Sequence, residues 1–191
     1  MIKKHILNQL CIFEYMIDNS KEVNEQLLKE IKDHRKESPD PIPGSNTHCW
    51  RGSKKYPSEN LLLDLFGKAV LNTVKDQGLD INKNDYHLRF LYWVNVNGFG
   101  GHNDIHNHML SDYSGVYYVQ GIDTGRITFT SEPHINKMIM VGMPFYKPVT
   151  IHPKDGMLLV FPSYMLHSID PNLSKKERIN IAFDVNIDKK K

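Results

Sequence analysis

The sequence predicts a mainly β domain with flanking helices, of the double-stranded β-helix (jelly-roll, cupin-like) class. Two observations carry that reading. Up to residue 85 apolar residues recur largely at helical spacing, and from Tyr86 onward the period drops to two. The second half then breaks into runs near 87–96, 104–108, 114–120, 125–130, 149–151, 157–161 and 178–187, divided by Gly, Pro and Asp turns. Many short strands at this spacing imply a sheet folded on itself, with the helices covering one face.

Taken in order, residues 6–16 (ILNQLCIFEYM) have the short apolar character of an outer strand. Asn19-Ser20 offers an N-cap, and Lys21 to Lys36 reads as a polar helix with Val23, Leu27, Leu28 and Ile31 on one face. Three prolines and a glycine between Ser38 and Gly44 mark a connection. Ser58-Glu59 opens a second helix, in which Leu61, Leu62, Leu65, Ala69, Val70 and Val74 fall at helical spacing, and Gly78 is its stop. With no repeat or low-complexity segment, the 191 residues are expected to form one domain, 1–85 as helical N-terminal support and 86–187 as jelly-roll core.

Composition narrows the function classes. Hydrophobic residues at 40% and charged residues at 24% are ordinary for a soluble domain. Twenty-four basic groups against 22 acidic ones leave a formal charge of +2, without the basic excess of a nucleic-acid binder. Lys189-Lys190-Lys191 reads as a solvated tail. Cys11 and Cys49 cannot build a disulfide framework and are expected to be small buried hydrophobes in a reducing compartment. The opening MIKKHILNQL lacks a signal-peptide core, and no run approaches the ~20 apolar residues of a membrane span. The expected location is therefore the cytoplasm (a host's, for a viral chain). The expected partner is a small-molecule or peptide substrate, and the sequence permits a homodimer.

Histidine is where chemistry concentrates. Six of the ten, His102, His106, His108, His134, His152 and His167, lie in the C-terminal half. In a strand through Gly101–His108, alternation would project His102, Asp104, His106 and His108 to one side. A rise of ~3.3 Å per residue puts the outer two roughly 20 Å apart, so one ion can take only an adjacent pair. A third ligand must come from elsewhere, and His167, just past the apolar run GMLLVFPS, is the candidate. His-x-Asp with His167 would give two imidazoles and a carboxylate; His-x-His with His167 would give three imidazoles. An isolated strand histidine is more often an ordinary residue, so the weight rests on four such groups together with the distal one.

Eleven positions after His167, Arg178 starts the strand RINIAFDV. Ile179, Ile181, Phe183 and Val185 form an apolar face suited to packing under helices; Arg178, Asn180 and Ala182 form the other, suited to a polar pocket. A guanidinium there can grip a carboxylate with two parallel hydrogen bonds; the plain alternative is a surface arginine paired with Glu177 or Asp155. On the strand SGVYYV, Ser114, Val116 and Tyr118 share a face, with Tyr118 able to offer its hydroxyl and Tyr117 turned to the core.

Together His106-Asn107-His108, Ser114-Gly115-Val116-Tyr117-Tyr118, Phe161-Pro162-Ser163 with His167, and Glu177 through Phe183 resemble the 2OG-Fe(II) oxygenases of marine bacteria and their phages. The match runs over about residues 90–187 and takes in Trp93 and Asn95. The resemblance implies a non-haem Fe(II)- and 2-oxoglutarate-dependent dioxygenase that hydroxylates a substrate with release of succinate and CO2, with O2 as oxidant. It selects His106, His108 and His167 as metal ligands, keeping Asp104 as the alternative carboxylate. It implies Arg178, Tyr118, Ser114 and Asn180 for 2-oxoglutarate and Trp93 and Asn95 for the substrate. One departure is Met109, where such families carry a proline after HxH, and it bears on the shape of the loop. The competing readings are a cupin-like three-His metalloenzyme without 2-oxoglutarate and a non-catalytic jelly-roll binding module. Met138, Met140 and Met143, in the stretch 120–150, are expected to pack ordinarily.

Overall fold

The computed structural model describes residues 10–44, 46–79, 81, 85–130 and 148–190. The expected roles of Met138, Met140 and Met143, the first residues of the 6–16 strand, and the end of the lysine tail lie outside these.

Among the described residues two helices, α1 (Ser20–Glu37) and α2 (Glu59–Asp76), sit among nine strands: β1 (Phe13–Met16), β2 (Asn46–Gly52), β3 (Tyr86–His106), β4 (Tyr113–Gln120), β5 (Ile127–Thr130), β6 (Val149–Ile151), β7 (Met157–Pro162), β8 (Leu166–Ile169) and β9 (Arg178–Lys189). All pairings are antiparallel, in one curled sheet ordered β1-β7-β4-β9-β3-β8-β5-β6, with β2 against β3. This is the expected jelly-roll class.

Strand alternation divides the interior in two. On β9, Ile179, Ile181, Phe183 and Val185 join Tyr117, Val119, Leu158 and Val160 beneath Leu27 and Ile31 of α1 and Leu62, Phe66 and Val70 of α2. Val116, Tyr118, Ile127, Phe129, Met157, Leu159 and Phe161 point the other way, into the hollow of the curl. α1 buries Asn24, Leu27, Ile31 and His34, a stripe three and four residues apart, and Tyr117 donates its hydroxyl to Asn24 Oδ1 at 2.6 Å. Asn19 holds the N-cap position of α1, but its side chain makes no capping bond. Gly78, just past α2, takes the left-handed φ of 86° expected of a stop.

The runs expected at 87–96 and 104–108 are one strand of 21 residues. β3 pairs with β9 from Tyr86 to Asn97, then with β8 through Asn103 and His106. The corner between is Gly98-Phe99-Gly100-Gly101: Gly100 has a φ of 77°, and a Cβ on Gly101 would meet Asn97 Cβ and His48 O at 2.9 Å. Glycine is what lets one strand serve both walls.

Two strands were not anticipated. β2 lies in the part expected to be helical support; it is polar, and its register slips between Thr47 and Cys49, beside His48 at a φ of 50°. β8 is four residues long and places His167 within a strand, where a position just past a turn was expected. The two cysteines are free and half-buried. No described helix is long and apolar enough to cross a membrane.

Candidate metal centre

His106 ends β3 and faces His167 of β8 directly across the ladder. Cross-strand neighbours stand close, and the two rings lie 4.3 Å apart. His108 is two residues beyond the end of β3, its backbone N donating to Ser163 O at 2.8 Å. Its ring lies 5.3 Å from that of His106 and 5.4 Å from that of His167. The ligand atoms of the three all fall within 4.8 Å of one another. His102 and Asp104 stay outside. β3 loses its register against β8 between Asn103 and His106, so the assumed alternation fails there. The Asp104 side chain is 87% exposed, with His102 Nε2 3.9 Å away, and it is corrected out of the ligand set as a carboxylate alternative.

Each imidazole has its Nδ1 tied down: His106 to Asp104 O at 2.7 Å, His167 to Met165 O at 2.9 Å, and His108 to Asp184 Oδ2 at 3.2 Å. Acceptors at Nδ1 fix the proton there and leave three Nε2 lone pairs for one cation. Burial, reinforced by the neighbouring imidazoles, pulls His167 down to about 3. His106 is lowered as well, chiefly by burial. Both are held neutral, the form that ligates.

Asp184 was missed in the sequence. Ser114 Oγ donates to its Oδ1 at 2.6 Å, so the carboxylate is held while it orients His108. Alternation along β9 was the available signal: Asp184 continues the face of Arg178, Asn180 and Ala182. Ser114, expected to touch 2-oxoglutarate, spends its proton on Asp184 instead.

The histidines open on a cavity of about 310 Å³ whose walls include Trp93, Asn95, Asn180 and Asp184. Trp93 stacks on His108, ring centres 5.7 Å apart and planes 17° apart. Asn95 donates to Asn180 Oδ1 at 3.0 Å, in the middle of a run of amides.

Arg178 is wholly buried at the start of β9, which excludes a surface arginine paired with Glu177 or Asp155. Its Nη1 donates to Thr124 O and Asp170 O, and its Nη2 to Gly101 O at 3.0 Å. The carbonyl cage depends on Gly125, where a Cβ would lie 2.9 Å from Nη1. Three of five N–H groups are thereby used, leaving Nε–H and one Nη2–H, the side-on pair that grips a carboxylate. Nε is buried without a partner, and so is the hydroxyl of Tyr118. Burial drives the Tyr118 phenol up, with the Arg178 charge opposing, so the hydroxyl stays a neutral donor. Unpaired buried donors cost about 1–3 kcal/mol each. Two such donors on residues that feel each other's charge, one of them cationic, are matched by an oxyanion.

Residues 91–184 match the model of a family described as 2OG-Fe(II) oxygenase. No curated protein matches the chain by sequence. Among solved structures it is similar to a Pseudomonas putida prolyl-4-hydroxylase, at 14% identity and a TM-score of 0.66 over 93% of this chain and 92% of that one. It is similar also to HygX from Streptomyces hygroscopicus, solved with nickel and 2-oxoglutarate bound, at 12% identity and 0.64 over 93% and 83%. A third is a Trichoplax adhaerens prolyl hydroxylase in complex with a hypoxia inducible factor peptide, at 12% identity and 0.59 over 94% and 84%. At these identities the likeness to solved structures is one of fold.

Proposed function

We propose, from the premise that this chain belongs to the 2OG-Fe(II) oxygenase family, that His106, His108 and His167 hold the iron while Arg178 and Tyr118 hold the distal carboxylate of 2-oxoglutarate. The protein is an Fe(II)- and 2-oxoglutarate-dependent dioxygenase, and what remains to be assigned is how its own residues serve that chemistry. The observation that carries the assignment is the pair of buried, unpartnered donors on Arg178 and Tyr118. A cupin-like site with metal alone would leave both unsatisfied.

Bound Fe(II) and 2-oxoglutarate supply the activation of O2 for insertion of an oxygen atom into a substrate C–H bond, with succinate and CO2 released. The chain supplies the rest. The three tautomer-fixed imidazoles of His106, His108 and His167 would hold the cation through their Nε2 atoms. Asp184, by accepting from His108 Nδ1, lends anionic character to an otherwise neutral ligand set. The carbonyls of Thr124, Asp170 and Gly101 hold the guanidinium in one orientation, so little order has to be found when a carboxylate arrives. Asn180, two residues along the same face of β9 from Arg178, lines the cavity onto which the three histidines open. Val116, Ile127, Phe161 and Ile169 form an apolar wall that keeps water from the reacting centre. Trp93 and Asn95 border the substrate side.

The cytoplasm is the proposed compartment, where Cys11 and Cys49 remain thiols. The test is succinate release from 2-oxoglutarate by the iron-loaded chain, expected in wild type and lost in Arg178→Ala and in His167→Ala. Arg178→Ala should still bind metal; His167→Ala should not. A wild-type chain that takes up no iron and turns over no 2-oxoglutarate would sink the proposal.

A further inference from the structure

We infer that Arg51 is the anchor for an oxyanion group, carboxylate or phosphate, on the primary substrate, so that this oxygenase acts on small anionic molecules. The inference rests on the reading above, because it assigns what the co-substrate and metal leave over.

Of the residues lining the cavity, the charged side chains are Arg51 and Asp184. Asp184 is committed to His108 and Ser114. Arg51 is not committed in that way. Among the described residues it forms no ion pair, and the one hydrogen bond of its side chain runs from Nη1 to Pro43 O at 3.3 Å. Its guanidinium carbon instead lies 4.6 Å from the centre of the Trp93 ring. Stacking of this kind uses the face of the guanidinium and leaves the in-plane N–H groups for a bidentate acceptor. The same indole stacks on His108, so the cation stands one ring away from the proposed metal ligands. A substrate held at Arg51 would thus carry its anion close to the carbon that reacts.

The neighbouring wall explains why this position is polar but otherwise spent. Asn103 donates to Asn46, Asn46 Nδ2 to Asn95 Oδ1 at 2.7 Å, and Asn95 Nδ2 to Asn180 Oδ1 at 3.0 Å. The run of amides crosses from β2 through β3 to β9, and its inner donors satisfy one another. It is a rigid polar surface with a donor end at Asn180 and no net charge. Arg51 is therefore the sole full positive charge in the lining; the Asp184 charge acts on it without forming an ion pair, and a half-buried guanidinium that makes no ion pair lowers its cost by binding an oxyanion. The arginine Arg178 cannot serve the same ligand. It is absent from the lining, fully buried, and its remaining fork is shared with Tyr118.

The full chain loaded with redox-inert Ni(II) and saturated with 2-oxoglutarate is titrated with propionate in one arm and methyl phosphate in the other. Calorimetry gives the affinity, and the Arg51 Nε–H resonance, assigned by its loss in Arg51→Gln, reports the site. At least one arm should shift that resonance in wild type, and the arm that binds names the oxyanion. Arg51→Gln should weaken the binding about tenfold or more, since a charge-assisted pair is lost. Arg51→Lys, which keeps charge but not the fork, should fall between, and it decides the matter should Arg51→Gln not fold. The 2-oxoglutarate affinity should move by less than about twofold in either variant. Two results overturn the inference: neither probe binding through Arg51, or Arg51→Gln losing 2-oxoglutarate in parallel, which would make Arg51 the co-substrate's own grip. Failure of wild type to bind Ni(II) and 2-oxoglutarate would strike the proposed function instead, and that is read in the same titration before any probe is added.

Discussion

Asp184 offers the sharpest test of how this site handles charge. In a set of two histidines and a carboxylate the anion binds the metal directly. In the proposed site the third position is His108, and the carboxylate sits behind it, 3.0 Å from Nδ1 through one oxygen and 3.2 Å through the other. Both side chains are mostly shielded from water, at 18% and 14% exposure, so the interaction is only weakly screened. Asp184→Asn keeps an acceptor for the Nδ1 proton and removes the charge. Asp184→Ala removes both and frees the ring to turn. Losses at positions that orient a metal-bound histidine run from about 10-fold to 100-fold in affinity. The asparagine variant belongs at the lower end, near 1.4 kcal/mol, and the alanine variant at the upper end, near 2.7 kcal/mol. Competition of the apo-protein against a chelator for Mn(II) or Fe(II) under anaerobic conditions measures this, with melting temperature as the control for folding. If both variants bind metal within about twofold of wild type while remaining folded, the carboxylate does not act through His108.

Tyr118→Phe removes a buried hydroxyl that has no partner in the protein. Apo stability should hold or rise slightly, while the KM for 2-oxoglutarate climbs about 10- to 150-fold for the loss of one hydrogen bond to a charged group; a changed melting temperature with unchanged KM would contradict the assignment. The depressed His167 and His106 make the apo-protein acid-sensitive. The unfolded chain binds these protons below about 6.5 and the folded chain does not, so the unfolded form takes up more protons and stability falls as pH falls from 6.5 toward the His167 value of about 3. The loss from His167 is bounded at roughly 5 kcal/mol by the size of that gap, and urea titrations of apo-protein at pH 7 and pH 4.5 should show about half of that decline. Gly101→Ala would press a methyl group against His48 O and Asn97 Cβ, each at 2.9 Å, at the corner whose carbonyl receives Arg178. A destabilisation of about 1–3 kcal/mol in urea, with weakened 2-oxoglutarate binding, is expected.

Local pattern made much of this molecule legible. Helical spacing located α1 and α2 nearly to the residue, because a stripe such as Leu27 and Ile31, or Leu62, Phe66 and Val70, must meet a core. Strict alternation on β9 and β4 foretold which side chains face the helices and which face the hollow. What stayed hidden was non-local. β2 is too polar to read as a strand, and only its partner β3 makes it one. The meeting of His106 with His167 depends on a pairing across sixty-one positions, which no window of sequence contains. The HNDIHNH segment misled by its own regularity, since alternation was carried through a stretch where the ladder slips, and Asp104 accordingly turned to solvent.

The fold and the site are bound together most tightly at β9. Its outer face is Ile179, Ile181, Phe183 and Val185, locked under two helices; its inner face is Arg178, Asn180, Ala182 and Asp184. From Arg178 to Asp184 the strand runs roughly 20 Å at ~3.3 Å per residue, so one element positions the carboxylate grip at one end and the charge behind His108 at the other. A slip of one residue would turn every apolar side chain into the cavity and every functional one into the helix interface. The hydrophobic packing that stabilises the sheet is thus what sets the spacing of the chemistry. It also accounts for a stretch as plain as RINIAFDV carrying both the proposed co-substrate contact, Arg178, and the carboxylate behind His108, Asp184.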